Sequence, residues 1–200
     1  MRKVGKVSPI ERLAARFRKP LGARADRALE ILTAHAAGKT VLELGCASGF
    51  FARRLYRAAR PARVTGIDFS SAAIERANQE SAKEGLADVV QFQVGNAADI
   101  ELPRADMTIG LGFLDYLDDG EIRGLFARIR SPGILFTFSR SDLSFLRLVH
   151  VGYLLTQSCP KHFYHSEKKL ASLIGTRHGK LVFVADRAAM SFGGIVHNLA

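Results

Sequence analysis

Glu43, Asp68 and the small residues at 45, 47 and 49 are the positions of this 200-residue chain where residue type and spacing most directly suggest chemistry. The first run reads Val41-Leu42-Glu43-Leu44-Gly45-Cys46-Ala47-Ser48-Gly49-Phe50. Small residues at alternate positions let backbone approach a ligand closely and let a turn take conformations that larger side chains forbid. Glu43, just before the loop, offers an acceptor to the same crevice. Taken alone, the loop is explained as well by a glycine-built strand-to-helix turn. The second run, Val64-Thr65-Gly66-Ile67-Asp68-Phe69-Ser70, places a carboxylate 23 residues after Gly45. At the tip of a neighbouring strand it can accept both ribose hydroxyl hydrogen bonds of an adenosine-containing ligand. Capping the next helix is the other role open to Asp68, but Ser70 or Ser71 can already fill it, so ligand contact is the favoured reading.

Such residues meet only if their strands end on one side of a sheet. Short apolar runs predict strands over Thr40–Leu44, Val64–Asp68, Val89–Val94, Asp106–Leu111 and Gly133–Phe138, with two closing strands over Lys180–Ala185 and Gly194–Leu199. Between them, Gly49–Ala59, Ser71–Gly85, Asp119–Arg130, Leu143–Leu155 and Glu167–Ile174 read as helices. Strands alternating with crossover helices require a mostly parallel sheet, because parallel neighbours cannot be joined by a tight hairpin. The fold class is therefore α/β, a doubly wound seven-stranded sheet with helices on both faces. Ligands bind beyond the carboxyl ends of such strands where chain order reverses, which normally falls just after the first strand. Ahead of the sheet, residues 1–38 form a basic arm of two short amphipathic helices, broken near Pro20-Leu21-Gly22 and expected to dock on the single domain of residues 39–200.

Val-Leu-Glu-Leu-Gly-Cys-Ala-Ser-Gly followed by Gly-Ile-Asp-Phe-Ser resembles the class I, Rossmann-like methyltransferases that use S-adenosylmethionine, over residues 39 to about 140. The resemblance implies that Glu43 lies near the methionine amino group, that Gly45, Ala47 and Gly49 form the loop under the cofactor, and that Asp68 holds the ribose. Phe69 would pack on the adenine. Asn96 and Ala97 match the family's adenine-contacting turn, and Leu111 would face the cofactor. Two positions depart from the family pattern, Ala47 where Gly is usual and Asn96 where Asp is commoner, and both point to weakened or altered binding. A nicotinamide dinucleotide fits less well. Gly45-Cys-Ala-Ser-Gly49 has Ala at the second glycine position and no glycine at 50, so the pyrophosphate cradle is missing.

In the resembled family the tip of the fourth strand faces both cofactor and acceptor, which makes Asp115 and Tyr116 the reactive candidates. Asp115 can take a proton from an attacking oxygen, orient the acceptor, or cap the following helix, for which Asp118 and Asp119 are better placed. No Asn/Asp-Pro-Pro-Tyr/Phe follows this strand, which disfavours amino methylation of adenine. Residues 139–200 are weakly similar to the magnesium-protoporphyrin O-methyltransferase-like small-molecule enzymes. There a His stands where this chain has Asp115, so the substrate is not carried over. Tyr164 and His165 can border the acceptor, with His165 a candidate proton acceptor alongside His150 and His162.

Composition sets the remaining bounds. Hydrophobic residues make up 48% and charged residues 24%, which excludes disorder and a collagen-like chain. Two cysteines, Cys46 and Cys159, are too few for a disulfide framework and not spaced for a metal, so reduced thiols in the cytoplasm are expected. No apolar run reaches the length of a membrane span, and the charged first twenty residues do not suit a signal peptide. Leu143–Leu155, interrupted by Arg147 and His150, can be a core helix, a lid over a greasy acceptor or an interfacial helix touching membrane. Residues 1–30 carry nine Lys and Arg against three acids, +6 of the net +10, and Arg53, Arg54, Arg57, Arg60 and Arg63 follow. These cations support a nucleic-acid acceptor as the rival to a small molecule. A non-catalytic cofactor-binding protein is the rival from a different class. The chain carries no signal for oligomeric state.

Overall fold

The computed structural model describes residues 23–141, 162–185 and 193–199. A helix over 23–33 (α1) leads to strand β1 (Thr40–Leu44), helix α2 (Phe50–Ala59), β2 (Arg63–Asp68), α3 (Ser71–Lys83), β3 (Val90–Val94) and β4 (Met107–Gly110). A 3₁₀ turn (Leu114–Tyr116), α4 (Asp119–Arg128), β5 (Gly133–Ser139), α5 (Glu167–Ile174), a second 3₁₀ turn (Thr176–His178), β6 (Val182–Ala185) and β7 (Gly193–His197) complete it. The seven strands lie in the order β3-β2-β1-β4-β5-β7-β6. Pairings from β3 to β5 are parallel, while β7 runs antiparallel to both β5 and β6. Chain order reverses between β1 and β4, the place where an open α/β sheet leaves a crevice at its carboxyl edge.

β1 and β5 are apolar runs buried on both faces, as central parallel strands are when helices cover the sheet twice. One core cluster joins Ala28, Leu32, Leu55, Ile74 and Val64, so α1, α2 and α3 share a face. The other joins Ile122, Phe126, Leu170 and Phe136 and puts α4 and α5 on the opposite face. The described part of the basic arm is thus continuous with the main core. Its first helix, like Leu143–Leu155, His150 and Cys159, lies outside the described residues. No helix among the described residues is long and apolar enough to cross a membrane.

Element ends differ from expectation for local reasons. α4 stops at Arg128 because Ile129 turns extended, with ψ 122°, and buries its side chain. Its start is fixed by a capping box in which Asp118 and Glu121 exchange side-chain and backbone hydrogen bonds. α2 begins at Phe50 instead of Gly49, which serves as its N-cap in the left-handed region, φ 68°. α3 ends at Lys83 rather than Gly85, and Ser70 caps its start by accepting from the Ala73 N–H at 3.3 Å.

Candidate active site

Three alternate residues in the left-handed region shape the loop after β1: Gly45 at φ 69°, Ala47 at 46° and Gly49 at 68°. Gly45 and Cys46 both donate their N–H to the Ile67 carbonyl, at 2.8 and 3.1 Å, so the loop folds over the end of β2. A Cβ added at Gly45 would come within 2.7 Å of the Phe113 ring, and one at Gly49 would be driven into the Phe92 ring. Bare backbone is therefore a steric requirement at both positions. Ala47 adopts the same conformation with a methyl group, at a cost of about 1 kcal/mol.

Asp68 joins the two strand ends. Its Oδ2 accepts from the Ala47 N–H at 2.9 Å and its Oδ1 from the Ser70 N–H at 3.0 Å, while Ser70 does the helix capping. Each carboxylate oxygen keeps further lone-pair capacity toward the cleft it lines. That cleft, about 320 Å³, lies within the range of small-molecule sites. In sheet order, the turn after β3 (Asn96, Ala97), the end of β2 (Asp68, Phe69) and the β1 loop (Gly45, Ala47) line it on one side, and Leu111 and Tyr116, which follow β4, line it on the other. Phe69 is 80% exposed, an aromatic face left open at the rim. Asn96 is tied into its own turn, accepting from the Ala98 N–H at 3.0 Å and donating to Asp99 at 2.7 Å.

The other expected residues stand elsewhere. Gly49 shapes the loop without lining the cleft, and Glu43 lies beneath the loop, 2% exposed. Burial pushes the Glu43 carboxyl up to about 8, against a hydrogen bond from the Ala52 N–H in the first turn of α2, which favours the charged form. Its Oε2 is buried with no hydrogen-bond partner. The thiol of Cys46 is free and buried, and burial pushes it up as well.

Asp115 is buried, and both of its oxygens are engaged: Oδ1 accepts from the Ser139 N–H at 2.6 Å, Oδ2 from the Ser139 hydroxyl at 2.9 Å and from Arg24 at 3.3 Å. His165, 1% exposed, directs Nε2 at the Leu114 carbonyl, 3.1 Å away. Neither lines the cleft, so the structure gives both a place behind its wall in place of the expected one facing the acceptor. Of the three reactive candidates Tyr116 alone borders the opening. His162 packs edge-on against Tyr116 at 6.0 Å between ring centres and against Tyr164 at 4.9 Å. Burial depresses its titration, with Asp115 acting in the opposite sense.

Some contributors carried no sequence signal as site residues. Arg53, read as one of five free cations, is 6% exposed; it donates to the Ser48 carbonyl of the loop at 2.8 Å and reaches Glu84 at 3.1 Å. Arg57 also pairs with Glu84, Arg54 pairs with Asp26 at 2.6 Å, and Arg60 stacks over Tyr56. Two carboxylates thus meet three of the five arginines, and only Arg53 among those three is buried, so the run is partly paired and Arg53 serves the loop in place of a phosphate-tracking surface. Phe113, folded over Gly45, and Thr137, whose hydroxyl accepts from the Gly112 N–H at 2.7 Å, also shape the cleft. Arg53 sits four residues after Gly49, one helical turn into α2, a spacing that can return a side chain to the loop.

Residues 35–175 match the family model described as a methyltransferase domain. The chain is 34% identical over 130 residues to a ubiquinone biosynthesis O-methyltransferase of Alkalilimnicola ehrlichii, covering 62% of this chain and 51% of that protein. It is 33% identical over 100 residues to a 27-O-demethylrifamycin SV methyltransferase of Amycolatopsis mediterranei, 48% of this chain and 36% of the other. The chain thus spans about half the length of the first relative and about a third of the second. Among solved structures, magnesium protoporphyrin IX methyltransferase from Synechocystis PCC 6803 with bound SAH superposes with a TM-score of 0.71 at 20% identity, over 96% of this chain and 87% of that one. That likeness shows the shared fold.

Proposed function

This chain belongs to the methyltransferase-domain family, and from that premise we propose that it transfers a methyl group from S-adenosylmethionine to an oxygen or nitrogen of a small molecule. The observation that carries the reading is the cleft at the β1–β4 reversal, with bare backbone at Gly45 and a carboxylate at Asp68 on the same wall. Its features suit the parts of that cofactor. Asp68 would accept from the ribose hydroxyls, Phe69 with Asn96 and Ala97 would enclose the adenine, and Leu111 would pack on the cofactor from the opposite wall. Glu43, with a buried unpartnered oxygen beneath the loop, would answer a cationic amino group from below. Oxygen is the favoured acceptor atom, since the ubiquinone and rifamycin relatives are named for O-methylation or an O-demethyl substrate.

When bound, the cofactor supplies a methyl group on a positively charged sulfur, open to in-line attack. The chain's own task is to hold that line and exclude water. Gly45, Ala47 and Asp68 fix one side through the loop's hydrogen bonds, and Phe113 closes over Gly45. Tyr116, 55% exposed at the opposite wall, is placed to contact the acceptor. A reducing cytoplasmic setting, where the Cys46 thiol stays free, completes the proposal.

The test is thermal unfolding with SAH, the demethylated cofactor, against NAD, followed by label transfer from methyl-labelled S-adenosylmethionine into cell extract separated into lipid, RNA, protein and small-molecule fractions. A ligand held only by the folded state stabilises it by about 2.7 kcal/mol at a hundredfold excess over Kd. Stabilisation by SAH alone, with label among small molecules, is the expected result. Equal stabilisation by NAD, or label confined to RNA, refutes it.

A further inference from the structure

Behind the acceptor-side wall lies a charged pair that the proposed reaction does not use. Arg24 of α1 and Asp115 of the first 3₁₀ turn are 91 residues apart in sequence, yet their side chains are only 5% and 6% exposed. The pairs Arg27–Glu30, Arg53–Glu84, Arg54–Asp26 and Lys169–Asp119 each leave one partner at least 26% exposed. Surface pairs of that kind contribute little, whereas a buried pair must be held in one geometry to exist at all. Arg24 keeps its place although its Nε is buried without a hydrogen-bond partner, a local cost of the sort that accompanies function.

The contacts around the pair converge on one short turn. Asp115 receives Ser139 twice through its side chain, and its backbone carbonyl accepts from the Phe163 N–H at 2.7 Å. His165 holds the Leu114 carbonyl by Nε2, while its own N–H donates to the Ser139 carbonyl at 2.8 Å. Leu114 and Asp115 are thereby locked inward, 0% and 4% exposed, and Tyr116, the last residue of the turn, stands outward along the cleft. Three of these anchors come from β5 and the 163–165 segment. Arg24 is the one drawn from α1, and it meets Asp115 with the only positive charge that the structure shows bonded to that carboxylate among the described residues.

We propose that Arg24 is a positioning residue for the acceptor side: by clamping Asp115 from α1 it sets the angle at which Tyr116 stands over the cleft. Buried ion pairs are poor sources of net stability, because desolvation offsets their attraction, and uncharged replacements often serve as well. The role of this pair is then geometric, and loss of the clamp loosens Tyr116 while the loop and Asp68, on the far wall, keep their grip on the cofactor. The consequence for acceptors rests on the proposed methyl transfer; the clamp itself does not.

The chain contains no tryptophan, so Tyr116→Trp introduces a single indole as a reporter at the cleft. In that background Arg24→Met is compared with Arg24→Met combined with Asp115→Asn. The asparagine retains an acceptor for the Ser139 N–H and a donor for its hydroxyl and leaves no lone buried charge, so the double variant keeps the comparison usable if the single one does not fold. Arg24→Lys serves as the conservative rescue. Acrylamide quenching of the indole is expected to rise about twofold and its anisotropy to fall in the uncharged double variant. SAH affinity is expected to stay within about twofold of the background, with recovery of the quenching in the lysine variant. Quenching and anisotropy unchanged in the double variant would show a purely structural pair and overturn the proposal. So would a tenfold loss of SAH affinity with unchanged quenching. Failure of SAH to bind the unsubstituted chain sinks the proposed function instead, and leaves the quenching comparison intact.

Discussion

Replacing Glu43 with Gln isolates the cost of keeping a carboxyl beneath the loop after β1. Desolvation holds this group near 8 in the folded protein, against an ordinary value of 4.5. Between those values the unfolded chain has released a proton that the folded protein retains. The unfolded state is the one with fewer bound protons, so stability falls as pH rises, by about 1.4 kcal/mol per unit. The decline begins near pH 4.5, where both forms are still largely protonated, and ends above 8, where both are ionised. Gln matches the protonated acid in shape and has nothing to titrate. Urea unfolding of both proteins at pH 5.5 and 7.5 gives the stability difference at each pH, and groups common to the two cancel in it. Over those two units the parent should lose about 3 kcal/mol relative to Glu43→Gln. A difference constant to within about 0.5 kcal/mol would mean that the folded protein already ionises Glu43, and the burial argument would fall. Saturating SAH offers a second arm: a cationic amino group beside the carboxyl favours its charged form, so the slope should shrink.

Asp68→Ala removes the proposed ribose contact and the acceptor for the Ala47 N–H, and calorimetric affinity for SAH should drop at least about tenfold, from hydrogen bonds to a charged group worth about 1.5–3 kcal/mol; retention within about twofold defeats the ribose assignment. Gly49→Ala forces a methyl into the Phe92 ring at positive φ, costing about 3 kcal/mol or more and lowering Tm by about 6–12 °C, and an unchanged melting curve would contradict the packing described. Ala47→Gly relieves the left-handed alanine and should raise Tm by about 2–4 °C, whereas a lower Tm would show that the methyl contributes packing that outweighs the strain.

The parts of the site that depend on local chain chemistry were legible in the sequence. The β1 loop and Asp68 were readable because a buried parallel strand is a contiguous apolar run, and the residues at its end face the crevice whatever the rest of the chain does. The sheet and its parallel character followed from the same alternation of runs. Direction and partnership were not legible. Asp115 lies just beyond a strand tip, where a reactive carboxylate would be expected, but only the arrival of Arg24 from 91 residues away and of Ser139 from β5 turns it inward. Arg53 looked like its cationic neighbours because the acid it meets, Glu84, belongs to the end of another helix. Glu43 was correctly placed at a strand end, but its depth depends on α2 closing over it.

The position of β7 between β5 and β6 bears on how the chain matures as it is synthesised. β5 is complete at Ser139, but its neighbour on that side arrives only with Gly193–His197, 54 residues later, and among the described residues β6 pairs with no strand but β7. At about 5–20 residues per second, a nascent chain spends roughly 3–10 s with a long apolar strand margin unpaired. Such a margin is a template for adhesion to other chains, so in vivo yield should depend on chaperone capture during that interval, even for substitutions that leave the finished fold unaltered.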